Sequence, residues 1–161
     1  MLLEFKTKNY KSFVEEASFS MVAAPKQKGL DYSLMKTKIK GKEIKGLSSS
    51  VIYGPNAAGK TNIIGAMDVL RAIVLRGNIR NSEEKSSPNP AASALELIPN
   101  NNESEAKPVC FEIEFYEEDG EEHKFKIHYK LKIDLGTFLE EEYQRKILAE
   151  VLEVNGERIF E

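Results

Sequence analysis

The chain predicts an α/β fold of α+β character, with one strand–loop–helix unit joined to an antiparallel β subdomain. Three observations carry this. A β-branched and aromatic run, Val51-Ile52-Tyr53, leads through Gly-Pro-Asn-Ala-Ala-Gly-Lys-Thr (54–61) into apolar residues at helical spacing. Beyond Pro108 the apolar period becomes two. Near the end, Asn155-Gly156 separates two short strand-like runs, the composition of a type I′ hairpin turn.

Taken in order, residues 3–13 alternate as a strand and residues 17–22 as a second. Residues 25–31 read as loop. Five lysines then fall within residues 36–45: Lys36, Lys38, Lys40, Lys42 and Lys45. Such a cluster serves either as a nucleic-acid contact or as the solvated face of a strand or loop. The run 51–53 has the composition of a buried strand. After it, Ile63, Ile64, Met67, Leu70, Ile73 and Val74 line a helix, and Gly77 stands where a C-cap belongs. Residues 77–108 are loop-rich: Pro88, Pro90, Pro99 and Pro108, with Asn and Ser clusters, interrupt any long element. Residues 92–98 are the one stretch there with helical or apolar character.

In the last third, Phe111, Ile113 and Phe115 face one way and Glu112 and Glu114 the other. After the turn Glu118-Asp119-Gly120, Phe125, Ile127, Tyr129, Leu131 and Ile133 alternate with Lys124, Lys126, His128, Lys130 and Lys132. The lysine stripe either faces the glutamates of the partner strand, which is mildly stabilising, or meets nucleic acid. His128 and His123 have no metal-ligand company at useful spacing. Residues 137–153 read two ways: Leu139, Tyr143, Ile147 and Val151 line a helix, while the end reads better as strand. The whole, residues 1–161, reads as one domain, with a loop-and-helix core portion in 1–76, the loop-rich segment 77–108 and the antiparallel β subdomain in 109–161.

Composition narrows the class. With 161 residues and 41% apolar content the chain can bury one sizeable core. The single cysteine, Cys110, excludes an internal disulfide and reads as a small buried hydrophobe on a strand. No stretch approaches a membrane span or a signal peptide, so the expectation is a soluble cytoplasmic protein with no membrane partner. The net charge of −3 hides an asymmetry. Residues 1–80 carry 14 Lys+Arg against 6 Asp+Glu, while residues 81–161 carry 9 against 20.

The octapeptide 54–61 carries the chemistry. Gly, four free positions, Gly, Lys and Thr form a complete phosphate-binding loop (P-loop). On the order of one chain in a hundred of this length matches by accident, so the flanking strand and helix patterns decide in its favour. Gly54 and Gly59 lack Cβ and let backbone N–H groups converge on phosphate oxygens. Pro55, Asn56, Ala57 and Ala58 form the cradle between them, and Asn56 is short and polar enough to approach a γ-phosphate. Lys60 supplies a point charge to the β- and γ-phosphates. Thr61 offers a hydroxyl to a Mg²⁺ that keeps most of its waters. Lys60 opens a helix whose N-terminal partial charge adds to the site.

A P-loop hydrolase also needs a metal carboxylate and a group that positions water. Asp134, at the end of an alternating Lys-rich strand, is a weak candidate for the first, and an adjacent Asp-Glu pair after a buried strand is lacking. The chain stops within or just after a strand, and a phosphate cradle without its hydrolytic half suggests a fragment.

Leu3-Glu4-Phe5-Lys6-Thr7-Lys8-Asn9-Tyr10-Lys11-Ser12-Phe13, a second strand, then Val51-Ile52-Tyr53-Gly54-Pro55-Asn56-Ala57-Ala58-Gly59-Lys60-Thr61-Asn62 resembles the opening of ABC-type ATPase heads. The similar group comprises SMC, RecF and OLD-like proteins, including the "AAA family" ATPases of prokaryotic defence and abortive infection. The resemblance is specific in 3–13 and 51–64 and architectural elsewhere. It implies a P-loop NTPase N-lobe, here a partial ABC-type head, that binds ATP and Mg²⁺ through residues 54–62. It also implies that Lys11 reaches the nucleotide phosphates. The signature motif, metal aspartate, catalytic glutamate and switch histidine belong to a C-lobe not located in this sequence, and Gln144 comes too early for the family's Mg²⁺-sensing glutamine. Intact heads dimerise head to head through that C-lobe and act on nucleic acid or a defence effector. Two alternatives stand beside this: a nucleotide-binding or interaction module without turnover, and a nucleic-acid-binding protein using the lysine clusters.

Overall fold

A computed structural model of the chain describes residues 1–25, 29, 31–39, 41–80, 95–101, 106–119, 123–137 and 144–161. Lys40, Pro88, Pro90, Gly120, Leu139, Tyr143 and residues 92–94 lie outside them. The described elements are β1 (Leu2–Lys8), β2 (Ala17–Ser20), a short 3₁₀ turn (Asp31–Ser33), β3 (Leu34–Ile39), β4 (Lys42–Leu47), α1 (Lys60–Arg76), β5 (Val109–Glu118), β6 (Lys124–Asp134), β7 (Lys146–Val154) and β8 (Glu157–Phe160).

Strands of both halves form one antiparallel sheet in the order β2-β1-β5-β6-β7-β8, and β3 and β4 form a separate ribbon. Alternation dictates the two faces of the sheet. Phe5, Val109, Phe111, Leu131 and Ile133 are buried on the inner face. There they form one cluster with Ile63, Ala66, Val69, Leu70 and Ile73 of α1. Those helix positions recur at three- and four-residue spacing, so a single stripe of α1 meets the sheet. Beside the helix the inner face continues as an apolar groove of about 490 Å³ reaching Ile127, Leu152 and Phe160.

The outer face is charged and self-complementary. Lys126 pairs with Glu114 at 2.9 Å, Lys130 with Glu112 at 3.1 Å and Arg158 with Glu153 at 3.3 Å. The lysine stripe therefore does face the glutamates of its partner strand. His128 lies between Glu112 (3.0 Å) and Glu153 (3.3 Å). In the Lys-rich ribbon, Lys36 and Lys45 sit opposite each other and pair with Asp31 and Glu43 respectively.

Local turn chemistry holds where the residues demand it. Gly77 takes φ +67° and closes α1 by donating its N–H to the Ile73 carbonyl. Asn155 (φ +53°) and Gly156 (φ +84°) make the β7–β8 turn with the two left-handed residues of type I′. Cys110 is half-buried on β5, and burial pushes its thiol up from the ordinary value.

Two expectations change, and two readings left open are decided. The first strand stops at Lys8, because Asn9 (φ +53°) and Lys11 (φ +48°) turn the chain sharply. Residues 51–53 form no strand: Val51 is 82% exposed and Tyr53 90%, and no described strand lies alongside to accept their hydrogen bonds. Residues 95–98 are not helical, although Leu95 and Leu97 are buried in the core. From Lys146 onward the segment that read two ways is strand, pairing with β6 from Asp134↔Lys146 to Ile127↔Val154.

Candidate functional site

The loop 54–61 starts where the unpaired 51–53 run ends and closes at the N-terminus of α1. The Ala58 N–H donates to the Pro55 carbonyl at 3.3 Å, making a tight turn exposed to solvent. Ala57 takes φ +63° and Gly59 φ +82°. Left-handed residues interleaved with others are how successive N–H groups are brought to one side as an anion nest. The N–H groups of Asn62 and Ile63 donate to the Gly59 carbonyl at 2.9 and 3.2 Å, which starts the helix. No side chain caps that end, so first-turn N–H groups and the positive pole of the helix are left for solvent or an anion.

Lys60 folds back over this turn. Its Nζ donates to the carbonyls of Gly54 at 2.8 Å and Pro55 at 2.6 Å. The ammonium is thereby held at the loop by neutral oxygens, and among the described residues no carboxylate pairs with it. Thr61 is exposed on the first turn beside it.

The two glycines of the motif differ. A Cβ at Gly59 would lie 2.9 Å from Phe13 Cε1 and 3.3 Å from Ser12 Oγ, and the φ of +82° is itself unfavourable for an L side chain. The fold itself requires glycine there. A Cβ at Gly54 meets only the Ala58 methyl at 3.8 Å, an ordinary contact. Packing therefore makes no demand for glycine at 54.

The second family-like segment comes to the same place. Tyr10 and Phe13 exchange backbone hydrogen bonds (3.0 and 2.9 Å), and the Tyr10 ring packs edge-on against Phe111 at 5.6 Å. This turn puts Phe13 against Gly59 and lets Asn62 Nδ2 donate to Ser12 Oγ at 2.7 Å. Its far side is clamped by residues 96–100. The Lys11 N–H donates to the Ile98 carbonyl (2.9 Å), and Asn100 Nδ2 donates to the Lys11 carbonyl (2.6 Å). Lys11 Nζ forms an ion pair with Glu96 and lies 5.6 Å from the Tyr10 ring centre. Burial pulls this ammonium down, but the Glu96 hydrogen bond and further electrostatic contacts outweigh it and hold Lys11 above the ordinary lysine value. A Cβ at Gly65 would sit 4.0 Å from Lys11 Nζ, so the ammonium rests against the second turn of α1.

Other sequence candidates fall elsewhere. Asp134 accepts a hydrogen bond from the Gly136 N–H at 3.0 Å, shaping the end of β6. Gln144 is exposed just before β7. His123 bonds Asp119, and among the described residues no group of three or more His, Cys, Asp or Glu is arranged to hold a metal ion. Sequence reasoning missed Glu96 and Asn100, which act on the 9–13 turn from 85 and 89 residues away. Ser12 was visible only as part of the motif.

The loop is a tight, exposed turn ending at a helix N-terminus, on a mixed α/β scaffold with a mostly antiparallel sheet. Residues 49–153 match the family described as "AAA domain, putative AbiEii toxin, Type IV TA system". The match spans well over half the chain, and the chain belongs to this family. Membership bears out the resemblance to AAA-family, P-loop ATPase-like domains and brings with it a nucleotide-binding, ATPase-type function. The 9–13 turn lies outside the matched range yet packs against its loop. No curated protein and no solved structure gives a match. Among the described residues no helix is long and apolar enough to cross a membrane.

Proposed function

We propose that residues 1–161 are the N-terminal lobe of an ABC-type ATPase with a P-loop NTPase core, and that the loop binds the phosphates of ATP. In this reading Gly54, Pro55, Asn56, Ala57, Ala58 and Gly59 cradle the phosphates. Lys60 exchanges its two carbonyl partners for phosphate oxygens, and Asn62 fixes the loop through Ser12. The observation that carries it is the Lys60 ammonium held over an uncapped helix N-terminus by neutral carbonyls at 2.8 and 2.6 Å. A polyanion offers that charge a stronger partner.

The donor set fits Mg²⁺ in part. Thr61 supplies one hydroxyl, and the remaining ligands would be phosphate oxygens and water, the usual habit of this ion. Bound there, Mg²⁺ would neutralise charge on the β- and γ-phosphates. Hydrolysis belongs in this proposal to a second lobe carrying the metal aspartate and catalytic glutamate. Head-to-head pairing of two such ATPases and a role in prokaryotic defence or DNA transactions are part of the same proposal. The nucleic-acid reading is less favoured, because Lys124, Lys126 and Lys130 already have carboxylate partners.

Substituting Lys60→Ala in the polypeptide that contains this lobe is expected to abolish ATP binding in equilibrium titration while leaving the unfolding midpoint nearly unchanged. Undiminished ATP binding by that variant would sink the site assignment.

A further inference from the structure

The Lys11–Glu96 ion pair joins a cation beside the loop to a carboxylate of a distant segment. Lys11 belongs to the turn whose next two residues touch Gly59 and Asn62. Its ammonium rests near Gly65, one helical turn from Thr61, which is about 6 Å by the rise of an α-helix. That distance is of the order of a lysine side chain's length. At Gly65 it lies beside the Tyr10 side chain, and its carboxylate partner is Glu96, whose side chain is 69% exposed, against 21% for Lys11. A carboxylate that open to water gives a weak, screened pair. A polyphosphate at the loop, with several charges on clustered oxygens, competes well against it.

We propose that Glu96 is a displaceable counter-ion that parks Lys11 away from the phosphate loop, so that a bound nucleotide triphosphate and Glu96 compete for the same ammonium. This rests on the phosphate-binding reading of residues 54–61. It assigns Glu96 a regulatory part: when phosphate takes Lys11, the 96–100 segment loses its ionic tie to the 9–13 turn and keeps only the backbone and Asn100 bonds. Nucleotide occupancy is thereby transmitted to the segment that follows residues 81–94.

The test is a titration of ATP–Mg²⁺, and of inorganic tripolyphosphate with Mg²⁺, into the full polypeptide carrying Glu96→Gln, Lys11→Ala or both. Glu96→Gln removes an exposed charge and is expected to keep the fold, which its unfolding midpoint checks. The competition predicts about two- to fivefold tighter binding of both probes by Glu96→Gln, and no such gain when Lys11→Ala is already present. Unchanged or weaker binding by Glu96→Gln, or the same gain without Lys11, overturns the proposal. Lys60→Ala separates the two levels. If it abolishes binding while Glu96→Gln has no effect, only the competition falls. If Lys60→Ala binds like the parent, the loop reading falls and this inference with it.

Discussion

Across the outer face of the sheet, Lys126 meets Glu114, Lys130 meets Glu112 and Arg158 meets Glu153. At the loop 54–61 and the run leading to it, by contrast, Val51 and Tyr53 lie open to solvent, and among the described residues the Lys60 ammonium is matched only by carbonyls. The outer face of the sheet answers its own charges within the described residues. The loop does not, and on the proposed function the difference separates what folding requires from what a ligand requires.

The largest effect expected from breaking the folding side is in its core. Phe111 is 1% exposed and touches Tyr10, so Phe111→Ala should cost about 3–5 kcal/mol in chemical denaturation. Its loss should also loosen the 9–13 turn, because the Tyr10 ring packs edge-on against it. A midpoint shift of less than about 1 kcal/mol would mean that the sheet and turn are not packed as described.

Gly59→Ala should follow, at about 1–3 kcal/mol. It combines a left-handed backbone with a Cβ placed 2.9 Å from the Phe13 ring. A companion Phe13→Ala change relieves the clash but not the backbone cost, so the double variant should recover part of the loss. Full additivity of the two would show that Phe13 is not the obstruction.

The smallest effect concerns pH. Burial raises the Glu112 carboxyl, yet hydrogen bonds from His128 and Lys130 outweigh it and hold it below the usual value of 4.5. A carboxylate lowered by folding contributes stability that is complete above its unfolded value and fades as pH falls through the folded one. Stability should therefore decline below about pH 4.5, and Glu112→Gln should flatten that decline. Identical acid profiles for the two proteins would show that Glu112 gains nothing from its partners.

Much of the sheet was legible because its signals are local. Asn155-Gly156 can supply two left-handed residues in succession, and the alternation from Phe111 to Ile133 fixes which face is buried. The loop motif was legible for the same reason. The 51–53 run was not, since its β-branched composition records a preference for burial and says nothing about whether a neighbouring strand is at hand. The clamp on the 9–13 turn was equally hidden. Glu96 and Asn100 lie in a loop-rich stretch whose composition carries no period, and their contacts with Lys11 exist only once the chain has folded.

Gly54 is where the two kinds of requirement separate most sharply, because packing leaves room for a methyl group there. The direct test is ATP–Mg²⁺ titration calorimetry on Gly54→Ala beside the parent, with unfolding midpoints measured on the same samples. The account predicts equal midpoints and at least about tenfold weaker ATP binding by the variant. Equal affinity at equal stability would contradict the claim that this loop closes around phosphate.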